Sequence, residues 1–132
     1  MPGLPLPIPN EETRPFWESC KAGELRVQRC LACGKLRYPP RPGCSECGSL
    51  EFDWQRLSGR GRIHTYAVSR QAVHPALEGL IPHTAVIVEL EEGVLMTSNL
   101  VDRAEEVEIG RPVEVVFEPV SEEISLPRFR FV

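Results

Sequence analysis

The chain has 132 residues, of which 42% are hydrophobic and 26% are charged, and its formal net charge is −4. This length allows one compact unit or two very small ones, and it excludes a barrel enzyme of ~250 residues or a complete dinucleotide-binding fold. Thirteen prolines and ten glycines favour short strands and turns over long helices.

The first nine residues predict an extended arm. Proline stands at every second or third position of residues 1–9, and because proline lacks an N–H and blocks the preceding turn, this segment cannot be helical. The arm lacks the basic region of a signal peptide, and no stretch of the chain approaches the ~20 apolar residues of a membrane span. We therefore expect a cytoplasmic protein with no membrane association, whose five cysteines are better explained as metal ligands than as disulfides.

A short helix is predicted over residues 14–22, with Asn10 or Thr13 as its cap. A helix of this length is marginal alone and needs a surface to pack on. One side of it carries three residues that can supply that packing: Phe16, Trp17 and Cys20. Cys20 is expected to pack as a small hydrophobic residue, and a catalytic thiol is the less favoured interpretation.

Residues 25–57 hold two copies of a Cys-x-x-Cys-Gly motif, with Cys30 and Cys33 in the first copy and Cys44 and Cys47 in the second. The motifs lie between two short strand candidates, Leu25–Gln28 and Phe52–Leu57. Two intervening residues let both sulfurs of a pair turn toward one point, and the glycine lets the backbone bend and aim amides at the sulfurs. Together the pairs supply four thiolates in a tetrahedron, the ligand set of a structural Zn²⁺ with no position open for substrate. Iron bound in the same four sulfurs, as in rubredoxin, is the competing interpretation.

The second half of the chain predicts five short strands. Alternating and β-branched segments, separated by glycine and proline turns, indicate them. They are Arg62–Arg70, Thr84–Leu90, Val94–Leu100, Val113–Glu118 and Pro127–Val132. Five such strands favour a small antiparallel barrel or sandwich. We accordingly expect an arm and helix over 1–24, a metal ribbon over 25–57 and a barrel over 58–132.

Charge is distributed unevenly along the chain. Residues 1–70 carry 11 Lys and Arg against 7 Asp and Glu, whereas residues 71–132 carry 4 against 12. The basic half can meet phosphates or an acidic partner, although a solubilising surface explains the pattern equally well. Within it, Gly59–Arg62 resembles a phosphate-binding loop only loosely, so we expect a glycine bulge at the start of a curved strand. Arg60 and Arg62 are nevertheless candidates for contact with an anionic ligand.

No catalytic set can be assembled from the remaining residues. The chain has no G-x-S-x-G, H-E-x-x-H or Walker motif. Its three histidines, at positions 64, 74 and 83, lack ligand spacing and are expected to be structural or on the surface. We expect the chain to do no chemistry by itself.

The ordered set of motifs resembles the zinc-ribbon/OB-fold family of acyl-CoA-associated proteins, which was long catalogued only as a domain of unknown function. The motifs are PFWE at 15–18, the two CxxCG knuckles with RYPPRP at 37–42 between them, SGRGRIHTY at 58–66, NLV at 99–101, IGRPVEV at 109–115 and LPRF at 126–129. One CxxCG pair alone would be generic, whereas the ordered set is specific and covers nearly the whole chain.

The resemblance implies an N-terminal helix, a rubredoxin-like zinc ribbon and a five-stranded OB-fold barrel. It implies that Cys30, Cys33, Cys44 and Cys47 bind zinc. It also implies an auxiliary subunit of a thiolase-fold enzyme, either an acyl-CoA thiolase or an aldolase resembling the thiolase domain of sterol carrier protein x. The expected assembly is a 2:2 heterotetramer with acyl-CoA at a shared site. Some family members are fused to hydratase-like domains of steroid side-chain degradation, so any hydratase activity here requires another subunit.

Two functions of different kind follow from these observations. The first is a docking subunit that stabilises its partner and helps to position the CoA thioester, with Phe16 and Trp17 as exposed aromatic anchors and Arg60 and Arg62 near the CoA phosphates. The second is a single-stranded nucleic-acid-binding module, since OB folds and zinc ribbons both serve that role. The acidic barrel half disfavours the second, because nucleic-acid binding requires a basic groove.

Overall fold

The structure, a computed structural model, describes residues 8–69, 83–102 and 104–132. It begins with helix α1, Arg14–Lys21, which agrees with the predicted helix. Thr13 occupies the N-cap position without a side-chain cap bond. Asn10 instead organises the entry, because its Oδ1 accepts hydrogen bonds from the amides of Glu12 and Thr13, each at 2.9 Å.

A three-stranded antiparallel sheet follows the helix. Its strands are β1, Leu25–Cys30, β2, Leu36–Arg37, and β3, Phe52–Leu57, in the order β2-β1-β3. The sheet confirms both strand candidates of the predicted ribbon. Strand β2 was not predicted, because two residues carry no readable alternation and gain their partner only from the fold.

Five further strands form a closed barrel, which confirms the OB-fold. They are β4, Arg60–Ser69, β5, His83–Leu90, β6, Leu95–Leu100, β7, Pro112–Pro119, and β8, Ser125–Phe131. Their order around the barrel is β4-β5-β6-β8-β7, and the contact between β6 and β8 is the parallel one. A 3₁₀ turn over Ala104–Glu106 lies between β6 and β7.

The β-bulge predicted within the glycine-rich segment Gly59–Arg62 lies elsewhere in the structure. The register of β4 against β5 shifts between Ile63 and Thr65, so the bulge lies beyond the segment where it was expected. Gly59 has φ 80° and its carbonyl accepts a 2.7 Å hydrogen bond from the Val115 amide. At Gly61 a Cβ would collide with the backbone oxygen of Glu89. The glycines therefore serve a left-handed turn and a close strand approach rather than the bulge itself.

One hydrophobic core joins the helix, the ribbon and the barrel. The helix contributes Phe16 and Cys20, and the ribbon contributes Leu25, Val27 and Leu57. The barrel contributes buried residues from its strands and turns: Ile63, Val86, Val88, Leu90, Val94, Met96, Leu100, Val113 and Phe129. Because these side chains form one cluster, α1 and the inner ends of β1 and β3 are fixed against the barrel. In the described residues no helix is long and apolar enough to cross a membrane.

Candidate metal centre

The four predicted cysteine ligands converge on one point. Their Sγ atoms all lie within 4.8 Å of one another, and the Cys30–Cys47 and Cys33–Cys44 sulfur pairs are each 3.6 Å apart. A tetrahedron with metal–sulfur distances of about 2.3 Å has sulfur–sulfur edges of about 3.8 Å. The sulfurs are therefore spaced to bind one metal ion without rearrangement of the backbone.

Two matching turns hold the sulfurs in place. In the first knuckle the Gly34 amide donates to the Cys30 carbonyl at 2.9 Å, and in the second the Gly48 amide donates to the Cys44 carbonyl at 2.9 Å. Both glycines have positive φ, 78° and 76°. A residue with a Cβ would be strained at either position. The repeated motif in the sequence thus becomes a repeated backbone conformation.

Backbone amides favour the thiolate form of two of the cysteines. Hydrogen bonding from the Cys33 amide is the main cause that lowers the pKa of Cys30 to about 6, and the Cys47 amide has the corresponding effect on the pKa of Cys44. At Cys33 and Cys47 a backbone amide also acts to lower the pKa, but the neighbouring sulfurs and burial together outweigh it and raise the pKa of both thiols. A divalent cation suits this donor set, because its charge offsets the repulsion between four closely spaced thiolates.

These residues form a structural zinc site of the rubredoxin-like ribbon. All four tetrahedral positions are taken by protein sulfurs, so the site holds two distant turns together and offers no position to a substrate. The sequence did not single out the cross-link beside it: Lys35 of the first knuckle pairs with Glu46 of the second at 2.7 Å. Lys35 stands two residues after Cys33, and Glu46 stands two residues after Cys44. This shared spacing from a ligand is the one feature of the sequence that could have indicated the ion pair.

The proposed aromatic anchors are separated by the fold. Phe16 is 2% exposed, so the expectation of an exposed Phe16/Trp17 pair is wrong for Phe16, which packs into the core. Its ring centroid lies 5.1 Å from that of Trp17 and 5.5 Å from that of Tyr38. Trp17 is half-buried and, with Tyr38, lines a shallow pocket of about 160 Å³ against β6 and β8. Trp17 is the residue of the pair that a partner could reach.

The two candidate anion contacts lie together on the barrel. Arg60 and Arg62 line an open cleft of about 410 Å³, but so do Glu89 and Glu91. The Arg62 guanidinium donates to the Gly110 carbonyl at 3.0 Å. An anionic ligand at this cleft would meet carboxylates as well as guanidinium groups, so binding there stays a prediction.

Among the described residues, the remaining nucleophile and histidine candidates form no catalytic set. Cys20 is fully buried, and this burial raises the pKa of its thiol to about 12. His64 is exposed on β4. His74 lies outside the described residues, and of His83 the structure describes only the backbone of β5.

Comparison with known proteins identifies both parts of the chain. Residues 17–53 match the family model described as the ChsH2 rubredoxin-like zinc ribbon domain, and residues 54–118 match that of the ChsH2 C-terminal OB-fold domain. The chain is also similar to a solved chain of the "Ltp2-ChsH2(DUF35) aldolase", with a TM-score of 0.85 and 37% identity, over 96% of this chain and 98% of that one.

Curated relatives carry several names. A "DUF35 domain-containing scaffold protein" of Methanothermobacter thermautotrophicus is 42% identical over 75% of each chain. A "Probable enoyl-CoA hydratase alpha subunit" of Thermomonospora curvata is 39% identical over 96% of this chain, which spans only 39% of that relative. A "Benzoylsuccinyl-CoA thiolase subunit BbsA" of Geobacter metallireducens is 26% identical over 73% of this chain and 63% of its own length.

Proposed function

Because this chain belongs to the DUF35 family of ChsH2-like zinc-ribbon and OB-fold proteins, we propose that it is an auxiliary subunit that binds and stabilises a thiolase-fold acyl-CoA enzyme. One observation carries the proposal: almost the whole chain superposes on almost the whole of a chain solved as part of an aldolase assembly. The division into an arm and helix (1–24), a ribbon (25–57) and a barrel (58–132) belongs to the same proposal.

The partner is a thiolase or an aldolase that cleaves a carbon–carbon bond of an acyl-CoA. The names of the relatives support this, since one is an aldolase component and another a thiolase subunit. We propose a 2:2 assembly in the cytoplasm, with the CoA thioester at a site that this chain helps to form. The chain spans 39% of the length of the hydratase alpha subunit that it resembles, so the hydratase activity in that relative's name is not part of this proposal.

The catalytic groups belong to the partner in this proposal. The zinc site is closed by four sulfurs and has no open position. Cys20 is buried with a pKa of about 12, which is unsuited to a nucleophile that must be a thiolate near neutral pH. What this chain offers is a rigid platform whose helix, ribbon and barrel share one core.

Trp17 is the proposed centre of the partner interface. Large, half-exposed aromatic side chains are the commonest interface anchors. Trp17 is backed by the buried Phe16 ring at a centroid distance of 5.1 Å, so its orientation is fixed before binding. A preoriented anchor loses little side-chain entropy on association.

The test begins with the tagged full chain in its native lysate. We expect a thiolase-fold chain to co-purify in stoichiometric amount, and its identification by mass spectrometry names the substrates to assay. Activity of that partner should require this chain. Full partner activity and solubility without it would contradict the proposal, and nucleic acid in place of a protein partner would favour the OB-fold binding module.

A pair of variants on α1 tests the interface. Trp17→Ala should weaken the complex by about 2 kcal/mol, roughly 30-fold in Kd, as expected for an interface anchor. Glu18→Ala, an exposed neighbour on the same helix, is the matched control and should change Kd by less than about twofold. Equal affinities for the two variants, measured by titration calorimetry, would remove Trp17 from the interface.

The proposed CoA contact is tested on the assembled enzyme. Replacing Arg60 and Arg62 together by Gln should raise the KM for acyl-CoA while leaving Kd for the partner unchanged. Arg41→Gln removes an exposed arginine from the ribbon and serves as the control. An unchanged KM in the double variant would place CoA elsewhere.

A further inference from the structure

The zinc ribbon contains one buried cation. Arg37 on β2 is 7% exposed, and the groups that its guanidinium contacts are neutral. Its Nε donates to Gln28 Oε1 at 2.7 Å and its Nη2 donates to the Arg41 carbonyl at 3.1 Å. The guanidinium carbon Cζ lies over the Phe52 ring, 4.9 Å from the ring centroid.

No carboxylate neutralises this charge within residues 8–69, 83–102 and 104–132. The other largely buried arginine of these residues, Arg128, pairs with Glu118. Lys35, the nearest cation along the chain, already pairs with Glu46. Two buried nitrogens, Arg37 Nη1 and Gln28 Nε2, have no hydrogen-bond partner in the described structure. Burial of a guanidinium without an ion pair is costly, and a negative potential close by would lower that cost.

The strand register places the metal centre beside this cation. Arg37 is the register partner of Gln28 on β1, and Phe52 is the register partner of Cys30. Gln28 and Cys30 are two residues apart and share one face of β1. A guanidinium that lies over the Phe52 ring is therefore roughly 10 Å from the Cys30 sulfur.

We propose that Arg37 is the counter-charge of the tetrathiolate metal centre. Four thiolates and one Zn²⁺ carry a net charge of −2, which is the concentrated negative charge that the buried guanidinium lacks. The neutral Gln28 orients the guanidinium without cancelling its charge, so the full positive potential acts on the sulfurs. This role is independent of the proposed partner, because it concerns the metal affinity of the chain itself.

The test uses a property that a merely structural tether would not move. The full chain loaded with iron in place of zinc has a reduction potential that reports the local field, since the Fe(II) form carries one more negative charge than the Fe(III) form. One unit charge at roughly 10 Å, in an effective dielectric of about 20, changes an equilibrium constant about tenfold. Removing the charge with Arg37→Gln should thus lower the potential by about 59 mV.

Three further variants keep the test decisive. Arg37→Lys keeps the charge but loses the paired hydrogen bonds, and its potential should stay close to that of the parent. Gln28→Glu retains an acceptor for Arg37 while neutralising it, so its potential should fall as in Arg37→Gln. Arg41→Gln removes an exposed charge from the segment that follows β2. It should leave the potential unchanged, because solvent screens the charge of Arg41.

The zinc-loaded proteins supply an independent readout. In competition with a chromogenic chelator, Arg37→Gln and Gln28→Glu should lose zinc about tenfold more readily than Arg37→Lys. An unchanged potential in both Arg37→Gln and Gln28→Glu would overturn the proposal. A fall in Arg37→Lys as large as that in Arg37→Gln would also overturn it, since the tether and not the charge would then be responsible.

Discussion

Removal of zinc is expected to unfold the two knuckles while the barrel remains folded. The knuckle residues 31–35 and 45–48 are all exposed, and none of them belongs to the hydrophobic core. Besides the sulfurs, the exposed pair of Lys35 with Glu46 joins the knuckles, and exposed ion pairs contribute little. The helix and the inner ends of β1 and β3 are held by the core instead, so they should survive loss of the metal.

Hydrogen exchange of individual amides measures this difference. The amides of Gly34 and Gly48 donate to the carbonyls of Cys30 and Cys44, each at 2.9 Å, and these bonds exist only while the knuckles are formed. When the metal is chelated, their opening free energy should fall from a value near that of global unfolding toward zero, so that protection drops by about a thousandfold or more. The Val115 amide, bonded to the Gly59 carbonyl at 2.7 Å within the barrel entry, is the internal control and should keep its protection.

Two results would refute this reasoning. If Gly34 and Gly48 stayed protected in the metal-free protein, the knuckles would be stable without a metal and zinc would have no structural role. If Val115 lost protection in parallel with them, ribbon and barrel would unfold as one cooperative unit. Return of Zn²⁺ should restore protection at both glycines, because metal binding and folding of the knuckles are coupled.

Two substitutions test the core and the barrel entry. Burial raises the pKa of Cys20 from 9.0 to about 12, so the stability of the wild-type chain should fall as the pH rises above 9, by about 1.4 kcal/mol at pH 10. Cys20→Ala should lack this contribution. Urea midpoints of both proteins at pH 7.5 and pH 10 test this, and an equal pH dependence of the two would contradict the assignment. Gly61→Ala should lower the free energy of unfolding by about 2 kcal/mol, because the added Cβ meets the Glu89 carbonyl oxygen. The control Arg60→Ala should change it by no more than about 0.5 kcal/mol. Similar urea midpoints for the two variants would show that β4 and β5 can separate to make room for the Cβ.

The metal site was predictable because its determinants are local in the sequence. Each knuckle needs two sulfurs three positions apart and a glycine that can adopt positive φ, and both requirements can be read directly from the residue types and their spacing. The strands were similarly predictable where β-branched residues alternate. The strand predicted over Thr84–Leu90 is observed as His83–Leu90, and the one predicted over Phe52–Leu57 has the same bounds in the structure.

Features that depend on register or on packing were not predictable. Phe16 and Trp17 are adjacent aromatic residues, and only the direction in which α1 packs on the ribbon and barrel decides that the first is buried. Arg37 begins the proline-rich segment between the two knuckles, and only the pairing of β2 with β1 places it opposite Gln28. The bulge in β4 follows from closure of the barrel, which no local window of sequence contains.

The closed zinc site restricts how a subunit of this kind can act. A metal bound by four sulfurs has no open position for a thioester, and the fifth cysteine is buried with its pKa raised. In the proposed function, the chain therefore acts on its partner through its surfaces, and a rigid surface positions a partner more precisely than a mobile one. Rigidity is what the shared core supplies, because α1, the ribbon and the barrel cannot move independently without opening it. It follows that a core substitution such as Cys20→Ala should weaken partner activity only in proportion to the folded fraction, whereas Trp17→Ala should weaken it in a chain that stays folded.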